Sequence, residues 1–153
     1  MDVKTASAQG ETLLIVEDDM LCAMALRAEL EDAGYRVLDL TGRHQVALLA
    51  AQIHRPDLAL VNIELQGRDD GIALARDLKD LGVPSLFISG QTTRARSARS
   101  VAIASLPKPY SPLDMVQAVA HLLASLKGDH SLPYPQGLEI FGPAPDEAQP
   151  ELA

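Results

Sequence analysis

A chain of 153 residues is one domain plus a tail by size, long enough to bury a real core. Its 47% hydrophobic content and mean hydropathy of +0.05 describe a soluble globular protein and leave no stretch near the roughly 20 consecutive apolar residues of a membrane span. A net charge of -8 and a pI near 4.8 argue against nucleic acid and anionic membrane as partners, since both reward a basic surface.

Residues 1–10 are small and polar, carry Asp2 and lack the apolar run of a signal peptide, so a frayed N-terminus on a cytoplasmic protein is expected. Thr12 to Val16 is an apolar run of strand length, as in a strand covered on both faces. From Met20 to Ala33 the residues Leu21, Met24, Ala25, Leu26 and Leu30 recur at helical spacing, and Gly34 follows at the helix-ending position. Cys22, the single cysteine, cannot form an internal disulfide and reads as a small buried hydrophobe on this helix. Tyr35 to Leu40 reads as a strand and Val46 to His54 as a helix closed by Pro56. Asp57 to Ile63 is a strand, Gly71 to Leu81 a helix ended by Gly82, and Val83 to Ile88 a strand. Residues 91–101 form a weak, Arg-rich helix, followed by a short strand near Ile103 to Leu106. Ser111-Pro112 is an N-cap with the favoured first-turn proline, starting a helix to about Leu126 with Leu113, Val116, Val119, Ala120 and Leu123 on one side.

Five strands alternating with five helices imply a doubly wound α/β domain with an all-parallel five-stranded sheet over residues 11–127. In such a sheet ligands sit at the carboxyl ends of the strands. Glu17-Asp18-Asp19, Asn62, Ser89 and Lys108 all follow strands on that edge, so they converge in space although distant in sequence. Residues 128–153 change character, with five of the ten prolines, five acids and no Lys or Arg. This acidic, Pro-rich tail is expected to be extended or disordered at its ends, while Leu138 to Phe141 alternates like a strand and is expected to dock on its own domain or on a second copy.

Phosphoryl transfer to a carboxylate needs acids to hold a divalent cation, a nucleophilic carboxylate, and donors for the other phosphoryl oxygens. Glu17 and Asp18 supply hard oxygen ligands suited to Mg²⁺, with Asp19 left to cap the helix. Ser89-Gly90 offers a hydroxyl. Lys108, between Pro107 and Pro109, is fixed at a strand end where its ammonium can pair with a phosphoryl group or a carboxylate; a cis Pro109 suits that tight turn.

This combination resembles the receiver domains of two-component response regulators over residues 11–127, and the resemblance implies their flavodoxin-like fold. By position, the resemblance implies that Glu17 and Asp18 are the acidic metal pair, that Glu64 adds a backbone carbonyl to the metal, that Ser89 is the switch hydroxyl and Lys108 the conserved lysine, and that Asp70-Gly71 is the Asp-Gly before the third helix. The phospho-accepting aspartate is matched by Asn62. A neutral amide is a poor nucleophile and cannot form an acyl phosphate, and losing its charge weakens or abolishes Mg²⁺ binding. The aromatic switch position is Ser105, and the span from Ser89 to Lys108 is short, so the fourth helix should be truncated.

The resemblance implies a stand-alone, non-enzymatic receiver acting by protein–protein contact through the face of the fourth helix, fifth strand and fifth helix. A histidine kinase or another signalling protein is its implied partner, and a homodimer a further expectation. Arg94, Arg96 and Arg99 lie in an acid-free stretch from Leu81 to Leu113, read either as a solvated basic face or as a docking patch for an acidic partner, this tail included. The alternative is an ordinary receiver in which asparagine replaces the native aspartate at 62, or in which Asn62 deamidates. A doubly wound enzyme of another kind lacks support: there is no Gly-rich phosphate loop, no G-x-S-x-G elbow and no His/Cys metal set. His44, His54, His121 and His130 read as surface or cap residues.

Overall fold

The computed structural model describes residues 10–65 and 70–142; the expected frayed N-terminus, apart from Gly10, and the tail beyond Gly142 lie outside them. The elements are β1 (Thr12–Val16), α1 (Met20–Asp32), β2 (Arg36–Val37), α2 (His44–His54), β3 (Leu58–Asn62), α3 (Gly71–Asp80), β4 (Ser85–Ser89), α4 (Thr92–Ser97), β5 (Ala104–Pro107), α5 (Pro112–Leu126) and β6 (Glu139–Ile140). They form one sheet in the order β2-β1-β3-β4-β5-β6, with β1 to β5 parallel. Strand order reverses between β1 and β3, which puts a crevice at their carboxyl ends.

The apolar alternation of the central strands divides the core in two. Leu13, Ile15, Leu60, Leu86, Ile88 and Leu106 face α1 and α5 on one side. Leu14, Val16, Val61, Phe87 and Ala59 face α2, α3 and α4 on the other. Among the described residues no helix is long and apolar enough to cross a membrane.

Several expectations are corrected. The sheet is not all-parallel: β6 adds a sixth strand, antiparallel to β5, with Ala104 opposite Ile140 and Ser105 opposite Glu139. The strand expected over Tyr35 to Leu40 narrows to Arg36–Val37, because beyond Leu38, whose amide donates to the Leu13 carbonyl, the chain leaves the β1 ladder. On α1 the buried positions are Ala23, Leu26 and Leu30, and Leu21 is 80% exposed. Cys22 is exposed, and the Asp19 side chain beside it raises its thiol pKa. On α5 the inner face is centred on Met115, Ala118, Val119 and Leu122, leaving Leu113 outside. His121 is neither surface nor cap: it is buried, with Nδ1 2.7 Å from the Leu132 carbonyl oxygen and Nε2 3.3 Å from Ser125 Oγ.

The caps follow local chemistry. Asp19 accepts from the Cys22 amide, Asp70 from the Ile72 amide, and Ser111 forms a reciprocal capping box with Asp114 ahead of Pro112 at the first turn. Ser111→Ala should therefore cost about 1 kcal/mol of stability, read as a lower denaturant midpoint at unchanged m-value.

Candidate functional site

The acidic residues, Asn62, Ser89 and Lys108 do meet at the carboxyl edge of the sheet, and backbone contacts explain why. The Glu17 amide donates to the Thr41 carbonyl, which pulls the segment after β2 over the end of β1. Gly42 is required there: a Cβ on it would fall 2.4 Å from Asp18 Cα. Gly71 meets the same demand at the end of β3, since its Cβ would strike the Asn62 carbonyl, and its amide donates to the Ile63 carbonyl at 3.1 Å. This is the physical reason for the Asp70-Gly71 pair: the aspartate caps α3 while the glycine lets the helix start against the β3 backbone. The Lys108 amide donates to the Ser89 carbonyl, and the Lys108–Pro109 peptide is cis.

Glu17 is 6% exposed and Asn62 4%, so the acid at the centre of the site is almost wholly removed from water. A buried carboxylate is tolerable only where donors compensate it. Here Oε2 accepts from Asn62 Nδ2 at 3.0 Å and from the Asp19 amide at 3.1 Å. Its other oxygen lies 3.6 Å from Lys108 Nζ. Asn62 thus stands as a donor to the acid it would, as aspartate, repel.

The remaining amide contacts of Asn62 close a small loop. Nδ2 also donates to the Glu64 carbonyl at 3.3 Å, and Oδ1 accepts from the Glu64 amide at 3.3 Å. The Glu64 carbonyl, expected to face a metal, is therefore turned to the Asn62 amide. Among the described residues no group of three or more His, Cys, Asp or Glu is arranged to hold a metal ion. Mg²⁺ demands several hard oxygens in near-octahedral array, whereas the central side chain here presents an N–H to Glu17.

Ser89 is fully buried and already engaged. Its hydroxyl donates to Glu64 Oε2 at 2.8 Å and accepts from the Gln91 amide at 2.8 Å. Arg94 reaches the same neighbourhood, with its guanidinium 3.2 Å from Asp70 Oδ1 and 3.8 Å from Glu64 Oε2. The Glu64 side chain and Arg94 are thus parts of the site that sequence reasoning did not place there. An acid two residues after the central position and an arginine five after Ser89 were the available signals.

Ser105 is 1% exposed and its hydroxyl has no hydrogen-bond partner. It lies opposite Phe87 on one side and opposite Glu139 on the other. Glu139 is paired through two hydrogen bonds, at 2.9 and 3.1 Å, with the Arg96 guanidinium, and this pairing holds the Arg96 pKa up. So α4 and β6 are bridged beside the strand where an aromatic ring is absent. Arg99 is exposed. The three arginines do not share one role.

Comparison with known proteins agrees with this architecture. Residues 13–120 match the response regulator receiver domain. The transcriptional regulatory protein PdtaR of Mycobacterium tuberculosis is 30% identical over 117 residues, covering 74% of this chain and 57% of its own length. The phyllosphere-induced regulator PhyR of Methylorubrum extorquens is 30% identical over 121 residues, covering 77% of this chain and 45% of its own. The chain therefore spans about half the length of these relatives. Among solved structures, the signal receiver domain of a modulated diguanylate cyclase from Desulfovibrio desulfuricans superposes with a TM-score of 0.66 at 33% identity, over 78% of this chain and 99% of that one. A response regulator from Chloroflexus aurantiacus gives 0.69 at 28%, over 76% and 99%.

Proposed function

Since the chain belongs to the response regulator receiver family of two-component signalling, we propose that it is a degenerate receiver, signalling by protein–protein contact without phosphorylation at position 62. One observation carries this reading: the Asn62 amide donates to the buried Glu17 carboxylate at 3.0 Å. That bond holds the site closed on itself. Lys108 balances Glu17, Asn62 occupies the Glu64 carbonyl, and Ser89 is held by Glu64. Lys108 faces the Glu17 carboxylate in place of a phosphoryl group, and Mg²⁺ binds weakly or not at all. Glu17, Asp18, Ser89 and Lys108 serve as the frame of a fixed conformation, and Ser105 leaves it without an aromatic readout.

The proposed partners are a histidine kinase or other signalling protein, and a second copy of the chain. A net charge of -8 supports protein in preference to nucleic acid, and one cysteine in 153 residues suits the cytoplasm. Intact mass after incubation with a small phosphodonor, or with a cognate kinase, tests the central claim. The expected result is no added phosphoryl group; an adduct stable at neutral pH and lost in mild acid or base would overturn it.

A second reading has one observation in its favour, the retention of Glu17, Ser89 and Lys108 around the site. It is an ordinary phosphorelay receiver in which asparagine replaces the native aspartate. The codon at position 62 separates the two.

A further inference from the structure

The large apolar side chains of α2 point away from the core. Its inner face is alanine, with Ala47 and Ala51 fully buried, while Val46, Leu49 and Ile53 are 49%, 56% and 65% exposed. Spaced by three and four residues, these three make one stripe along the helix. Beside the stripe runs a groove of about 430 Å³, lined also by Val37, Leu38 and Leu40 at the open β2 edge of the sheet. From His44 to His54 the helix carries no Asp, Glu, Lys or Arg.

We propose that this face binds a second copy of the chain, α2 against α2 across a two-fold axis. An isologous contact needs a surface complementary to itself. Here projecting side chains and a groove that can receive them lie in one patch. Charge points the same way. Two copies, each of net charge -8, repel one another over most of their surface. The uncharged length of α2 is where they can approach most closely, with Asp39 of the groove as the one acid in its lining. Antiparallel packing also sets the two helix dipoles in opposition, head to tail.

Another exposed apolar group, Met20, Leu21 and Met24 on α1, lacks the uncharged setting of α2. It adjoins Asp18 and Asp19, so a two-fold contact there sets two acids of each copy together, where the α2 groove holds one. The sheet ends on β2 at one side and on β6 at the other, and the β2 edge lies in the α2 patch.

An 11-residue helix is about 16 Å long and about 10 Å across. With the flanking groove this falls short of the roughly 800 Å² per partner of a standard stable interface. The dimer is therefore concentration-dependent, with a Kd on the order of 10–100 µM.

Sedimentation equilibrium of the whole chain from about 5 µM to about 1 mM, bracketing that Kd, should show the mass rising from 16.4 kDa towards twice that value. Leu49→Glu/Ile53→Glu should hold it at the monomer mass throughout. Both positions are exposed, so the unfolding temperature of the double variant should match that of the parent chain. The milder Ile53→Gln should raise the Kd about tenfold by exposing one apolar contact. Leu21→Glu on α1 should leave association unchanged. A chain that stays monomeric over the whole range, or a dimer that survives Leu49→Glu/Ile53→Glu, or one abolished by Leu21→Glu, would each overturn the proposal. Asn62→Asp should dimerise equally, so failure here leaves the reading of Asn62 untouched.

Discussion

Asn62→Asp should be less stable than the parent chain without divalent cations and should regain stability when Mg²⁺ is added. The substitution exchanges the N–H that meets Glu17 Oε2 at 3.0 Å for a carboxylate oxygen, inside a site where both residues are under one-tenth exposed. A buried charge loses a donor and gains a like charge, which costs about 1–3 kcal/mol. For a domain of this size that is a fall of about 5–10 °C in unfolding temperature. With three carboxylates at positions 17, 18 and 62 the edge then offers hard oxygens to a cation. Millimolar Mg²⁺ should restore about 1–2 kcal/mol to the variant by mass action and leave the parent chain unmoved. Scanning calorimetry of both proteins, with and without Mg²⁺, checks the prediction. A variant as stable as its parent in EDTA would show that the amide–carboxylate bond does not hold the site together. If Asn62→Asp also accepts phosphate from a small donor, the frame of Lys108 and Ser89 has kept its chemistry, and Asn62 alone withdrew it.

Leu138→Ala should cost about 2–4 kcal/mol, the usual range for emptying a buried leucine site. Leu138 is 5% exposed and packs in the cluster on the α1–α5 side of the sheet. Two anchors flank this segment: the Phe141 amide donates to the Ile103 carbonyl at 2.9 Å, and the Leu132 carbonyl meets buried His121. Cutting the chain after residue 127 removes all of these at once and uncovers β5 as a bare edge strand, an invitation to pair with another molecule. The truncated protein should unfold at a lower temperature than Leu138→Ala and should associate non-specifically by light scattering. Arg96→Ala is the contrasting case. Its bond to Glu139 is exposed, and it should leave the unfolding temperature nearly unchanged. Equal stability of the whole and truncated chains would mean that β6 contributes nothing to the domain.

If the chain signals through the face of α4 and β5, as the family resemblance implies, the tail strand bears on that contact as well as on stability. It lies along β5 beside α4, at the face through which receivers of this family are expected to act. With Arg96 bridged to Glu139 and Leu138 packed into the core, that face is partly covered by the chain's own residues. Contact with a partner there must either use the composite surface of α4, β5 and β6 or displace β6.

The parts of the fold that sequence made legible are those set by local chemistry. Gly34 and Gly82 stop helices because they take positive φ, at 103° and 83°. Asp19, Asp70 and Ser111 start helices because short oxygen side chains reach free amides. Continuous apolar runs such as Leu58 to Val61 and Leu86 to Ile88 are central strands because only burial on both faces suits them. Fixing five strands in order fixes their carboxyl edge, so Glu17, Asn62, Ser89 and Lys108 could be placed together without a structure.

Sequence alone therefore determined the family, the sheet's parallel core and the gathering of Glu17, Ser89 and Lys108 around Asn62 at its edge. What the tertiary structure decided is orientation. Periodicity shows that α1, α2 and α5 have apolar residues, yet α1 buries Ala23 with Leu26 and Leu30, and α2 buries Ala47 and Ala51, while Leu21, Leu49 and Ile53 stay outside. The gap between helix and sheet, set by neighbouring elements, selects side chains by volume, and no local pattern encodes that gap. The same holds for the place where β6 docks, antiparallel on β5, for buried His121, and for Glu64, whose carboxylate holds Ser89 and whose carbonyl meets Asn62. These are contacts between segments far apart in the chain or around a sharp turn. Their geometry exists only once the sheet has brought the strand ends together.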